Sequence, residues 1–112
     1  MSAFADFNGL SKVVRTEGIN VPAADPTLVV SGTADGGGVR SVVLLKARLS
    51  DVRVKITNHG DPEPTFASAD SDDFDYMLYM GDDAKPIPAG RRLDLWAWSA
   101  TGGKVNAVVG VY

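Results

Sequence analysis

Three short apolar runs toward the carboxyl end constrain the fold of this chain more than any other feature. They span residues 74–80, 93–98 and 105–112 and are separated by turn-forming Gly, Pro and Asp residues. Each run is too short for an ordinary helix and is rich in the aromatic and β-branched residues that favour strands. Large apolar groups occupy both faces of each predicted strand, whereas a sheet with one face in water carries polar residues on that face. We therefore expect the sheet to be covered on both sides, either by a second layer of the same chain or by another subunit.

Three upstream runs complete an all-β pattern. They span residues 27–31, 39–49 and 52–56, and in the last of them β-branched residues alternate with cations. Six or seven short strands in 112 residues, without a long helix, are typical of an antiparallel β-sandwich or a jelly-roll-like small barrel. We expect residues 27–112 to form this domain. Residues 1–26 are predicted to be an extended N-terminal arm with one short helical turn, because Gly and Pro interrupt their apolar spacing.

Composition excludes several classes of protein. A hydrophobic content of 45% and a charged content of 22% indicate a folded chain, and a net charge of −3 argues against a nucleic-acid partner. The sequence contains no cysteine, which excludes a disulfide scaffold and a Cys-based zinc or redox site. No apolar run is long enough to span a membrane, and no secretory signal is visible at the amino terminus. We therefore expect a soluble protein that is made in the cytoplasm.

The residues that could carry chemistry form no catalytic motif. His59 is the only histidine and lies in a turn-rich segment, so we favour a turn residue over a catalytic base. The Gly-rich segment 35–38 lacks the Lys-Ser/Thr of a phosphate-binding loop. The acidic residues lack the spacing of an EF-hand, and solvated loops explain them as well as a calcium site does. They are Asp70, Asp72, Asp73, Asp75, Asp82 and Asp83. We predict no catalytic residue, no metal site and no cofactor.

Trp96 and Trp98 are the most informative aromatic residues. A period of two places them on one face of the 93–98 strand together with Asp94. Three interpretations remain open: the indoles fill the core between two sheets, they form a subunit contact, or they stack on sugar rings. For a subunit contact we predict four residues: Trp96, Trp98, Val108 and Tyr112. For a glycan platform we predict Asp94, Trp96 and Trp98.

Two segments resemble small virion structural proteins of tailed bacteriophages. Residues 52–60, with the sequence VRVKITNHG, are similar to a "V-R-V-T-N-x-G" strand and turn, and residues 87–96 begin with the "I-P-A-G" turn that introduces a strand in those proteins. The resemblance covers the part of the chain from residue 52 onward and rests on the arrangement of turns. It implies a β-sandwich or jelly roll, often a homotrimer, that serves as a capsid decoration protein, head fibre or tail component.

The resemblance and the residues together predict a function. We expect a non-enzymatic virion protein, made in the host cytoplasm, that binds the major capsid protein or another virion protein and stabilises the assembled shell as a homo-oligomer. Arm residues Phe4, Phe7 and Leu10 are predicted to attach to the capsid. A glycan-binding module of a phage tail or adhesion component is the alternative, and a small β-barrel enzyme is the least favoured.

Overall fold

The computed structural model describes residues 12–32, 40–66, 74–87, 90 and 92–111, and these residues contain β-strands and no helix. The eight strands are β1 (Lys12–Val21), β2 (Thr27–Val30), β3 (Arg40–Arg48), β4 (Val52–Asn58), β5 (Tyr76–Leu78), β6 (Lys85–Ile87), β7 (Leu93–Trp98) and β8 (Gly103–Val111). They form two four-stranded antiparallel sheets, with the orders β1-β8-β3-β6 and β2-β7-β4-β5. The prediction of an all-β antiparallel sandwich is confirmed.

The pairing of the strands is nested. β4 pairs with β5, β3 with β6, β2 with β7 and β1 with β8, so the chain resembles a long hairpin whose two arms are paired along their length. Further pairs between β3 and β8 and between β4 and β7 complete the two sheets. Every connection except that between β4 and β5 crosses from one sheet to the other.

The core lies between the sheets and follows the alternation of the strands. In β4, Val52 and Val54 are fully buried and Ile56 packs against the same core, because a period of two directs all three to one face. β7 adds Leu95 and Ala97, and the first sheet adds the buried residues Val21, Val43, Leu45, Ala47, Ile87, Val105 and Ala107. Burial of one such Val or Leu side chain stabilises the fold by about 1.5–3 kcal/mol.

Two strands differ from the sequence predictions. The second half of the predicted arm, from Lys12, is strand β1 and not a helical turn: its register with β8 shifts between Thr16 and Ile19, and Gly18 takes a φ of 66° at that irregularity. Pro86 and Ile87, predicted to begin a turn over residues 86–90, belong instead to β6, where Pro86 is tolerated because β6 is the edge strand of its sheet.

The loops gather at the two ends of the sandwich. One end contains the connections 22–26, 49–51, 79–84 and 99–102, which are joined by bonds such as Ala24 N–H to the Ser99 carbonyl oxygen (2.7 Å) and Met80 N–H to Asp51 Oδ1 (2.8 Å). We call it the Leu49 end. The other end, which we call the His59 end, brings Gly32, His59 and Asp94 together.

Candidate functional site

The outer face of the second sheet is covered in part by the chain itself. The connection from β4 to β5 places Phe66 over Trp98, with ring centroids 5.9 Å apart and an interplanar angle of 11°. The Arg53 Cζ atom lies 5.2 Å from the centroid of the Trp98 ring and 5.6 Å from that of Phe74. Trp98 and Arg53 are consequently only 7% and 8% exposed. A layer of the same chain therefore covers this part of the apolar outer face.

Trp96 lies in a more open part of the same face. Its side chain is half-buried, and its indole Nε1–H donates a hydrogen bond to Thr57 Oγ1 at 3.0 Å. Its Cα partner on the edge strand β2 is Leu28, which is 40% exposed. Trp96 and Leu28 therefore present apolar surface beside a sheet edge, while most of the Trp98 ring is covered.

Asp94 is the centre of a hydrogen-bonded cluster at the His59 end. Its Oδ1 accepts a bond from Gly32 N–H at 2.6 Å and lies 3.0 Å from His59 Nδ1. The carboxylate is buried, and burial by itself would raise the pKa of Asp94. The backbone N–H of Gly32, the hydrogen bond and charge of His59 and the backbone N–H of Gly60 outweigh that effect and lower the pKa. Asp94 therefore stays ionised and joins β7 to the connections that follow β2 and β4.

The hydrogen bonds of this cluster give His59 and Asp94 a structural role. Asp94 orients the imidazole through Nδ1, and the His59 backbone N–H donates to the Arg92 carbonyl oxygen at 2.8 Å. Sequence reasoning placed His59 in a turn but did not pair it with Asp94. The register of β4 against β7 is the information that would have paired them, because Thr57 is the Cα partner of Asp94 and His59 follows two residues later.

The predicted glycan platform is not an open surface in this arrangement. Asp94 is 4% exposed, and Oδ1 is already bonded to the Gly32 amide. Phe66 and Arg53 cover much of Trp98, so the more accessible of the two indole rings is that of Trp96. The proposed sugar contact through all three residues stays a prediction, and it requires movement of the covering residues.

The predicted subunit contact is divided between two surfaces. Trp96 and Trp98 lie on the outer face of the second sheet, whereas Val108 lies on the outer face of the first sheet, half-buried beside its Cα partner Leu44. Tyr112 and the predicted attachment residues Phe4, Phe7 and Leu10 lie outside the described residues. The contact through these residues stays a prediction.

The Leu49 end carries the most exposed large apolar side chains among the described residues. Leu49 is 68% exposed, Met80 57% and Tyr79 55%. Leu49 also has a φ of 75°, a left-handed conformation that costs a branched residue about 1–2 kcal/mol. The hydrogen bond from Met80 N–H to Asp51 Oδ1 links the two loops that carry these residues. We call Leu49, Tyr79 and Met80 the apolar tip.

The acidic residues were expected to be solvated loops or, less favoured, a calcium site. Asp70, Asp72 and Asp73 lie outside the described residues. The Asp75 side chain has a structural role, because its Oδ2 accepts a hydrogen bond from the backbone N–H of Ile56 at 2.7 Å. Within the described ranges, no group of three or more His, Asp or Glu residues is arranged to hold a metal ion.

Comparisons with protein-family models, curated proteins and solved structures find no match to this chain. The part of the chain that the structure describes contains no helix long and apolar enough to cross a membrane.

Proposed function

We propose that the protein is a non-enzymatic virion structural protein, a phage capsid decoration protein that binds the assembled shell as a homo-oligomer. The observation that carries the proposal is the order of the strands, β1-β8-β3-β6 facing β2-β7-β4-β5. Nested pairs of this kind in eight strands correspond to the jelly roll, an architecture used by viral capsid and lectin domains. The resemblance of residues 52–60 and 87–96 to phage virion proteins supports the same assignment from a separate source.

The apolar tip supports a binding role for the Leu49 end. Leu49, Tyr79 and Met80 leave more than half of their surface in water, and they lie on two loops at the same end that are joined by the hydrogen bond from Met80 N–H to Asp51 Oδ1. Exposed apolar side chains on neighbouring loops favour a contact with another protein. Leu49 combines this exposure with a left-handed backbone conformation that carries an energetic cost. We infer that this tip faces the capsid.

The two predicted oligomer surfaces support a head-to-tail assembly. Trp96 and Val108 lie on the outer faces of different sheets, so a neighbour that uses both surfaces makes a heterologous contact. Such contacts can close into rings, and a homotrimer is one of them. A two-fold dimer would instead bury the same patch on each copy.

Sedimentation with capsids tests the proposal. Purified protein is mixed with phage capsids that lack a decoration protein, and we expect saturable binding at a fixed ratio to the capsid subunit. The double variant Leu49→Ser, Met80→Ser should weaken binding, because it removes two of the three tip side chains. Asp61→Ser, an exposed residue at the His59 end, is the matched control. Absence of saturable binding to every capsid tried would contradict the proposal.

Light scattering on the free protein tests the oligomer separately. We expect a mass corresponding to a trimer, and Trp96→Ala should lower it while leaving the apolar tip intact. Deletion of residues 2–10 should weaken capsid binding without changing the oligomer. A monomeric mass at high concentration would contradict the oligomer, and unchanged capsid affinity after the deletion would exclude the arm.

A further inference from the structure

The outer face of the first sheet carries three cations that find no partner within the protein. They are Lys46 and Arg48 on β3 and Lys104 on β8, and their neighbours in sequence, Ala47 and Val105, are buried in the core. Arg48 is exposed, and both lysines are half-buried. Within the part of the chain that the structure describes, none of the three forms an ion pair or a hydrogen bond. We call Lys46, Arg48 and Lys104 the basic cluster.

The register of β3 against β8 brings like charges together. Arg48 and Lys104 are Cα partners, and the Cβ atoms of such a pair are about 4.5–5.5 Å apart. Lys46 lies on the diagonal from Lys104, at about 7–8 Å. Cations often keep an edge strand from pairing wrongly, but β3 and β8 are the two inner strands of their sheet. The repulsion therefore serves no edge, and a carboxylate from outside the protein would relieve it.

The acidic residues near this end of β3 lie on its other side. Asp82 and Asp83 are exposed and line a gap between the sheets together with Leu45 and Ala47, which face the core. Consecutive residues of a strand point to opposite faces, so the basic cluster lies on the outer side of β3. The cations are consequently left for a partner.

Asn106 adds a neutral donor to the same face. It is the Cα partner of Lys46, and its Oδ1 accepts a hydrogen bond from Gly18 N–H at 2.9 Å. Because the oxygen is engaged, the amide NH₂ group is the part that remains for a partner. The surface thus offers positive charge together with hydrogen-bond donors, which is the chemistry that binds an anion.

We propose that this face binds an extended acidic segment of a partner protein. Lys46 and Arg48 are two residues apart on one strand, a step of about 6.8 Å, which matches the carboxylates on alternate residues of an extended chain. At the next step along the face, Leu44 and Val108 are paired and half-buried, and they offer apolar contact to a protein. The proposal names the chemistry of a partner and holds whether or not that partner is a capsid protein.

A nucleic acid fits this surface less well than a protein does. The net charge of the chain is −3, so a long polyanion is repelled by the protein as a whole. Nucleic-acid binders neutralise several phosphates at once, commonly about 6–10, and the basic cluster is too small for that. A short acidic segment interacts with the local charges alone, because salt screens charges beyond about 8–10 Å.

Fluorescence anisotropy with a labelled peptide tests this face directly. The probe is a fluorescein-labelled peptide of alternating glutamate and serine, and the matched peptide carries glutamine in place of glutamate. We expect saturable binding of the acidic peptide at low salt and its loss at about 1 M salt. The double variant Arg48→Gln, Lys104→Gln should weaken binding about tenfold, because it removes two exposed charge pairs. Arg92→Gln, an exposed cation at the His59 end, is the matched control and should bind like the wild type.

Urea unfolding of Lys104→Gln separates binding from a structural role. The substitution removes the like-charge pair with Arg48, so the unfolding midpoint should rise while peptide binding falls. A lower midpoint would show that the fold needs Lys104 and would overturn the proposal.

Four results of the binding assay would also overturn it. They are unchanged peptide affinity in the double variant, equal affinity for the glutamine peptide, tighter binding of a single-stranded oligodeoxynucleotide of the same charge, and loss of self-association in the double variant without peptide binding by the wild type. The last result would assign the face to a contact between copies of this chain. The assay contains no capsids, so its failure and the failure of capsid binding are separate observations.

Discussion

Replacement of Asp94 by alanine should destabilise the fold more than its small change in volume suggests. Gly32 N–H, which is buried, loses its acceptor, at a cost of about 1–3 kcal/mol. Loss of the hydrogen bond between Asp94 and His59 adds only about 1 kcal/mol to this cost, because the exposed imidazole can bond to water instead. The total is about 3 kcal/mol, or a decrease in Tm of about 12 °C for a domain of this size.

Thermal and urea unfolding followed by circular dichroism measure this effect. Asp94→Asn keeps an acceptor oxygen for Gly32 and should lose about 1 kcal/mol, so the order of stability is wild type, Asn, Ala. Asp61→Ala removes an exposed carboxylate and should change stability by less than about 0.5 kcal/mol. If Asp94→Ala unfolds within that same margin of the wild type, the cluster does not join β7 to the neighbouring loops.

The lowered pKa of Asp94 predicts how the difference in stability between the wild type and Asp94→Asn depends on pH. The folded state holds the proton less tightly than the unfolded chain, so ionisation of Asp94 stabilises the fold above the ordinary carboxyl range. This contribution is lost as the pH falls through the folded pKa. The difference in stability between wild type and Asp94→Asn should therefore be full above about pH 4 and shrink below it. A difference that grows toward acid would contradict the assignment.

Three further substitutions test local features. Gly103→Ala should cost about 1–3 kcal/mol in urea unfolding, because its Cβ would lie 2.5 Å from Ser50 Oγ, a group fixed by two hydrogen bonds; wild-type stability would contradict the packing. Leu49→Gly should raise stability by about 1 kcal/mol by relieving the φ of 75°, while Leu49→Ala should not; equal effects would exclude backbone strain. Thr57→Val should cost about 1 kcal/mol and shift the emission of Trp96, whose Nε1–H loses its acceptor; unchanged emission would contradict that bond.

The strands that could be predicted are those whose alternation is regular. β4 and β7 follow from their sequence because a period of two separates Val52 and Val54 from Arg53, and Leu95 from Trp96. β1 was missed because Gly18 is a turn residue in most contexts, and here it serves an irregularity within a strand. β6 was missed because Pro86 is excluded from strands other than edges, and edge position is a property of the whole sheet.

The candidate sites depended on contacts that alternation cannot supply. The two faces of β7 were correctly separated, but the cover of Trp98 by Phe66 comes from a connection whose path is not encoded in any local pattern. The cluster of Asp94 with His59 required the register of β4 against β7, and a shift of one residue would have directed the groups to opposite faces. The residues of the apolar tip come from two loops that are distant in sequence, 49–51 and 79–84, and are linked by the bond from Met80 N–H to Asp51 Oδ1.

The nested pairing also determines when the protein can fold. β8 lies between β1 and β3, so the first sheet has no continuous hydrogen bonding until β8 has been synthesised. The hairpin of β4 and β5 closes the shortest loop, and each outer pair joins residues farther apart in sequence, which slows folding. During translation the apolar strands β3 and β4 therefore emerge before their partners β8 and β7, and high expression at elevated temperature should favour aggregation over folding.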